Sequence, residues 1–148
     1  MFEICVSPLT REMLLMAQEG PPERVALISI MNHKRDCLER YPAERVLRLC
    51  FDDATDDRFW QNLMTEEQAN AICWFVLRYG REIDCLIIHC SAGVSRSPAV
   101  AAGILGGLRQ DESEIWDNPD YQPNLYVYRL VREAFERGVH WKDGRHAE

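Results

Sequence analysis

The apolar run Leu86-Ile87-Ile88 leads without a break into His89-Cys90-Ser91-Ala92-Gly93-Val94-Ser95-Arg96-Ser97, and Pro98-Ala99-Val100-Ala101-Ala102 follows at once. A short apolar run rich in isoleucine reads as a buried strand. The small residues from Pro98 to Leu108 read as a helix, with the proline near the first turn, where a missing N–H has no partner to lose. The chain therefore passes from strand to helix through one tight loop, an arrangement that belongs to an α/β fold with helices packed on a parallel sheet. Gly93 sits where that loop has to turn sharply.

The loop places a thiol and a guanidinium at the start of a helix. The unpaired N–H groups there and the positive end of the helix dipole favour a bound anion. Arg96 adds a planar fork that can grip two phosphate oxygens, which lysine cannot do. A thiol is mostly protonated at neutral pH, and the same positive potential draws it toward the nucleophilic thiolate. The pattern predicts that Ser91, Ala92, Gly93, Val94, Ser95 and Arg96 wrap around one phosphate, with Cys90 as the nucleophile toward it. Ser97 is either a helix cap or a hydroxyl bonded to the Cys90 sulfur. His89 is read as a structural strand-end residue that tunes Cys90 indirectly, and the other five cysteines, Cys5, Cys37, Cys50, Cys73 and Cys85, as small core residues.

Elsewhere, strand-like and helix-like stretches alternate. Strands are expected over Phe2 to Val6 at an edge, Val25 to Ile30 in the centre and Val46 to Phe51. Helices are expected over Thr10 to Gln18, Lys34 to Arg40, the stretch following Thr65, and Leu125 to Arg137. Thr65-Glu66-Glu67-Gln68 has the form of a capping box, and Ala69, Ile72, Cys73, Val76 and Leu77 recur at helical spacing up to Gly80. The expected architecture is a mainly parallel central sheet flanked by helices on both faces. A polar link runs through Asp117-Asn118-Pro119, and residues 139–148 are polar enough to fray.

With 148 residues, 47% of them hydrophobic, the chain can bury one sizeable core, so 1–148 is read as a single domain with its core at about 25–138. The net charge of −7, from 24 acidic and 17 basic residues, speaks against nucleic acid or an anionic membrane as a partner. No stretch has the pattern of a leader or a membrane span, and six cysteines without framework spacing suit a reducing, cytoplasmic setting. The cysteines lack the paired spacing of a zinc site, so neither metal nor cofactor is expected. The oligomeric state is not legible.

The Cys90 loop resembles the signature loop of the cysteine-dependent protein tyrosine phosphatases. Its Ala92-Gly93-Val94-Ser95-Arg96-Ser97-Pro98 wording is most similar to the compact dual-specificity branch and its small bacterial and phage-type relatives. The resemblance covers roughly residues 25 to 131, and includes Pro123, Asn124 and Leu130 at the start of the last helix. It implies hydrolysis of phosphotyrosine in proteins or peptides through a cysteinyl-phosphate intermediate, with phosphoserine and phosphothreonine also in reach of a shallow pocket.

Such a reaction needs an acid to protonate the leaving oxygen. The run Asp52-Asp53-Ala54-Thr55-Asp56-Asp57 offers four carboxyls just after a strand, at the sheet edge where the Cys90 loop also lies. The resemblance places the acid shortly after this strand. Asp53 is the choice, since it follows the strand end and leaves Asp52 to turn the loop, with Asp56 as the alternative. Ser97 then assists departure of the sulfur in the second step. The competing readings are a phosphoinositide or RNA 5′-phosphate phosphatase on the same fold, a sulfurtransferase, and a non-catalytic phosphate-binding module. The uncharged loop residues Ser91, Ala92, Val94 and Ser95 weigh against the lipid reading.

Overall fold

The computed structural model describes residues 2–8, 22–33, 43–55 and 62–138. Four strands, β1 (Glu3–Pro8), β2 (Val25–Met31), β3 (Arg45–Cys50) and β4 (Cys85–Cys90), form one sheet in the order β1-β4-β2-β3, and every pairing is parallel. β4 lies between β1 and β2, and its side chains are buried on both faces of the sheet, Leu86, Ile88 and Cys90 on one and Ile87 on the other. This is why it reads as a continuous apolar run rather than an alternating one. The register sets His89 beside Ser7 on one side and Ser29 on the other, and brings Cys90 level with the end of β1.

The inward faces alternate as a pleated sheet requires. Ala26, Ile28, Ile30, Leu86, Ile88 and Cys90 join the main core together with residues of four helices: α1 (Glu66–Tyr79), α2 (Arg96–Gly107), α3 (Ser113–Trp116) and α4 (Leu125–Arg137). Val25, Leu27 and Ile87 form a smaller cluster on the opposite face, with Cys5, Ala43, Val46 and Cys85 beside them. The helices expected over Thr10 to Gln18 and Lys34 to Arg40, and the polar tail 139–148, lie outside the described residues. Burying a side chain such as Ile28 or Ile88 completely contributes about 1.5–3 kcal/mol, which makes the strand faces the main source of cohesion.

Local signals account for the helix ends. Thr65 Oγ1 accepts from the Gln68 N–H at 3.1 Å and the Gln68 side chain accepts from the Thr65 N–H at 2.9 Å, completing the expected capping box. α4 begins at Asn124, whose Oδ1 accepts from the N–H groups of Tyr126 and Val127. α2 starts at Arg96 rather than at Pro98, so Arg96 and Ser97 belong to its first turn. Pro98 is tolerated at the third position because the N–H lost there has no partner within the helix. The short helix α3, in the link after α2, has no counterpart in the sequence reading.

α2 and α4 approach closely because two glycines leave room. A Cβ built on Gly103 would lie 2.7 Å from Val131 Cβ, and one on Gly107 only 2.4 Å from Phe135 Cβ. α2 closes with the Gln110 N–H on Leu105 O at 2.8 Å and the Arg109 N–H on Gly106 O at 3.1 Å. That pattern is a Schellman motif, and it puts Arg109 at φ 59°, a conformation that glycine adopts more cheaply.

Candidate active site

The loop from β4 to α2 folds around the Cys90 sulfur. Cys90 is buried, and its Sγ lies 3.1 Å from Ser97 Oγ while the N–H groups of Gly93 and Ser97 point at it from 3.3 and 3.4 Å. Sulfur thus takes the place that a capping oxygen usually occupies at a helix start, accepting donors the helix cannot satisfy internally. The tight path needs Gly93 at φ 72°, in the left-handed region that favours glycine. Two backbone bonds brace the loop from outside: Gln122 N–H to Val94 O at 2.8 Å and Asn124 N–H to Ser95 O at 3.1 Å. Ser91, Ala92 and Val94 are exposed along its rim.

Arg96 folds back beneath the loop and is only 5% exposed. Its Nη1 donates to the Asn32 Oδ1 and, at 2.7 Å, to the Phe51 carbonyl, while Nη2 reaches Ser91 Oγ at 3.3 Å. Asn32 follows the end of β2 and Phe51 the end of β3. The guanidinium is therefore anchored mainly by the C-terminal edge of the sheet, with one longer bond to its own loop.

Asp53 also reaches the loop. Its Oδ1 accepts from Ser95 Oγ and from Asn124 Nδ2, each at 2.8 Å. Ser95 stands at the N-cap of α2 without making a side-chain cap: Pro98 has no N–H to give it, the Ser97 N–H is on the Cys90 sulfur, and its own hydroxyl donates to Asp53. Asn124 Nδ2 also donates to Ala54 O at 3.1 Å, so one asparagine joins the start of α4 to the Asp53 loop. Asp52 has the turn-holding part expected of it. Its Oδ2 accepts from the Asn62 N–H at 2.7 Å, and its own N–H donates to Asn62 O at 2.7 Å. Asp56 and Asp57 lie outside the described residues.

His89 is fully buried, with Nε2 2.6 Å from Ser29 Oγ on the neighbouring strand. Burial pushes its imidazole down to about 4, against a smaller upward pull from the Cys90 backbone, so at neutral pH it is an uncharged part of the sheet. The reading of the remaining cysteines as core residues needs correction. Cys73 is buried, and burial pushes its thiol up to about 12, but Cys5, Cys50 and Cys85 are half-buried. Cys5 and Cys85 stand on adjacent strands with their sulfurs 3.5 Å apart. The hydrogen bond from Cys85 draws Cys5 down to about 7, while Cys85 is pushed up. Cys37 lies outside the described residues.

The structure brings Cys90, Gly93 and Ser97 into one hydrogen-bonded group and Arg96 and Ser91 into another on the same loop, and links Asp53 to that loop through Ser95. Asn32, Phe51, Asn124 and Ser29 complete the framework, and sequence reasoning gave none of them a place in the site. Asn124 did carry a signal, since an asparagine before an amphipathic helix is a capping residue. Asn32 carried none.

The chain has the fold of the cysteine-dependent protein tyrosine phosphatases of the compact dual-specificity type. No protein-family model matches the sequence, and no curated protein matches it either. The solved structure of PTPMT1 in complex with PI(5)P superposes with a TM-score of 0.63 at 17% identity, covering 95% of this chain and 94% of that one. Human DUSP28 gives 0.62 at 13% identity over 93% and 94%. Tk-PTP in its active form gives 0.58 at 18% identity over 90% of each chain. The likeness extends past residues 25 to 131 and takes in nearly the whole chain. Among the described residues no helix is long and apolar enough to cross a membrane.

Proposed function

We propose that the chain is one phosphatase domain that hydrolyses phosphotyrosine in proteins or peptides, with phosphoserine and phosphothreonine as further substrates, through a phosphocysteine intermediate. The observation that carries this reading is the Cys90 sulfur, which faces one hydroxyl and two N–H donors at the start of α2, beside a buried arginine. These donors stabilise negative charge on sulfur, as a nucleophile requires and a structural thiol does not.

In the first step Cys90 Sγ attacks phosphorus in line, the bond to the ester oxygen breaks, and Asp53 gives that oxygen a proton. In the second step water attacks the phosphocysteine, Asp53 takes its proton, and the thiolate leaves toward the Ser97 hydroxyl. The equatorial oxygens rest on Arg96 and on the backbone N–H groups of Ser91, Ala92, Val94 and Ser95, while the Gly93 N–H stays on sulfur. Both bonds to Asp53 fall on Oδ1, which leaves Oδ2 for the leaving group. The thiolate suits a reducing compartment such as the cytoplasm.

A second reading, a phosphoinositide phosphatase, draws support from the PI(5)P bound to the structural neighbour PTPMT1. The loop carries no lysine to hold a second phosphate, which favours a phosphopeptide. Turnover of phosphotyrosine, phosphoserine and phosphothreonine peptides against a phosphoinositide panel separates the two. The proposal expects phosphotyrosine peptide to have the highest kcat/KM. A phosphoinositide faster than every peptide would replace it with the lipid reading.

A further inference from the structure

We infer that Asn32 is a positioning residue that fixes the Arg96 guanidinium with an uncharged acceptor and so leaves its charge, and one edge of its fork, to an incoming phosphate dianion. This rests on the phosphoryl-transfer reading above. The first observation is a charge without a countercharge among the described residues. Arg96 is 5% exposed, and its acceptors, Asn32 Oδ1, the Phe51 carbonyl and Ser91 Oγ, are all neutral oxygens. Among the described residues none of the ion pairs includes it. A buried cation is ordinarily paired, because taking it out of water unpaired costs several kcal/mol. Asp53, the carboxylate that touches the loop, is bonded to Ser95 and Asn124 instead.

The second observation is a donor count. A guanidinium has five N–H groups, two of them on Nη1. Asn32 and Phe51 take one each, so Nη1 is saturated from the side of the sheet. Among the described residues Nη2 has one partner, Ser91, at a long 3.3 Å, and it shares with Nε the edge that matches two phosphate oxygens. The ends of β2 and β3 that carry these acceptors are joined by the Phe51 N–H on Met31 O at 3.1 Å, so the two anchors form one rigid seat. Asn32 itself is exposed, and a carboxylate placed there would keep its charge while competing with the ligand for Arg96.

The test compares wild type, Asn32→Asp and Asn32→Leu by kcat, KM, the inhibition constant of inorganic phosphate, and melting temperature with and without phosphate. Asn32→Asp should raise KM and the phosphate inhibition constant by roughly tenfold or more, as expected when a new negative charge sits within a few ångströms of the anion site. It should also melt higher than wild type without phosphate and gain less from adding it. Asn32→Leu should lower kcat/KM through a guanidinium held on one side only. A structural role alone would shift melting and leave phosphate inhibition where it was. Wild type stabilised by phosphate, with both variants inhibited as wild type is, overturns the role of Asn32 alone. Wild type that phosphate neither stabilises nor inhibits ends the phosphoryl-transfer reading, and the inference with it.

Discussion

Ser95 Oγ donates to Asp53 Oδ1 across 2.8 Å, joining residues 42 positions apart in the chain. The bond ties the loop after β3 to the loop after β4, so the proposed acid and the proposed nucleophile are held by one framework. Asn124, on the same Asp53 oxygen, extends that framework to the start of α4.

If Asp53 protonates the leaving oxygen, Asp53→Asn should slow hydrolysis of a phosphotyrosine peptide by the ~10²–10⁴ typical of a lost general acid. An activated aryl phosphate, whose phenoxide departs unaided, should suffer far less. Asp52→Asn should keep the wild-type dependence on leaving group, because Asp52 is engaged with Asn62. Steady-state rates on a series of aryl phosphates check this. A selective loss in Asp56→Asn instead would move the acid to Asp56.

Ser97 is fully buried, with its hydroxyl 3.1 Å from the Cys90 sulfur. Removing that donor in Ser97→Ala should slow the step in which sulfur leaves, by roughly ten- to a hundredfold, the worth of one hydrogen bond to a charged atom. Phosphate release should become rate-limiting, visible as a burst of the first product in rapid-mixing experiments. Equal slowing of both steps would count against this role.

His89 makes stability fall on the acid side. Its folded value of about 4 lies below the ordinary 6.5, so the unfolded chain binds the extra proton first, and stability rises as pH goes from 4 to 6.5. The contribution is complete above about pH 6.5 and is lost as pH falls toward 4, amounting to about 3 kcal/mol. Denaturant melts of His89→Gln across this range should show a flatter limb than wild type. An unchanged limb would mean that other groups govern the acid side.

Two helix positions test the packing. Arg109→Gly should stabilise the fold by roughly 0.5–1 kcal/mol, since an exposed arginine held at φ 59° gives up its backbone strain and loses little contact. Gly107→Ala should cost roughly 1–3 kcal/mol, because its Cβ would meet Phe135 at 2.4 Å. Chemical denaturation of both variants checks the opposite signs.

These cases mark what a sequence can reveal. The strand, the loop and α4 were readable because their causes are local: an apolar run, a glycine at a turn, and a face of Val127, Val131 and Ala134 at helical spacing. The start of α2 was misplaced because Pro98 is the conspicuous signal, while Ser95 makes no side-chain cap, with proline at the third helical position and the Ser97 N–H on the Cys90 sulfur. Asn32 and Arg96 meet across 64 positions, and nothing in an asparagine that follows a strand shows which side chain will arrive from a helix elsewhere in the fold. Cys5 and Cys85 escaped notice for the same reason, being neighbours only through the register of β1 and β4.

The central claim is that phosphorus is transferred to Cys90. Acid quenching of wild type and Ser97→Ala during turnover of a phosphotyrosine peptide, followed by mass spectrometry of the protein's own peptides, tests it most directly. The account predicts one phosphoryl group on the peptide bearing Cys90, more of it in Ser97→Ala, and neither adduct nor turnover in a folded Cys90→Ser protein. A phosphoryl group on any other residue, or undiminished turnover in Cys90→Ser, would contradict it.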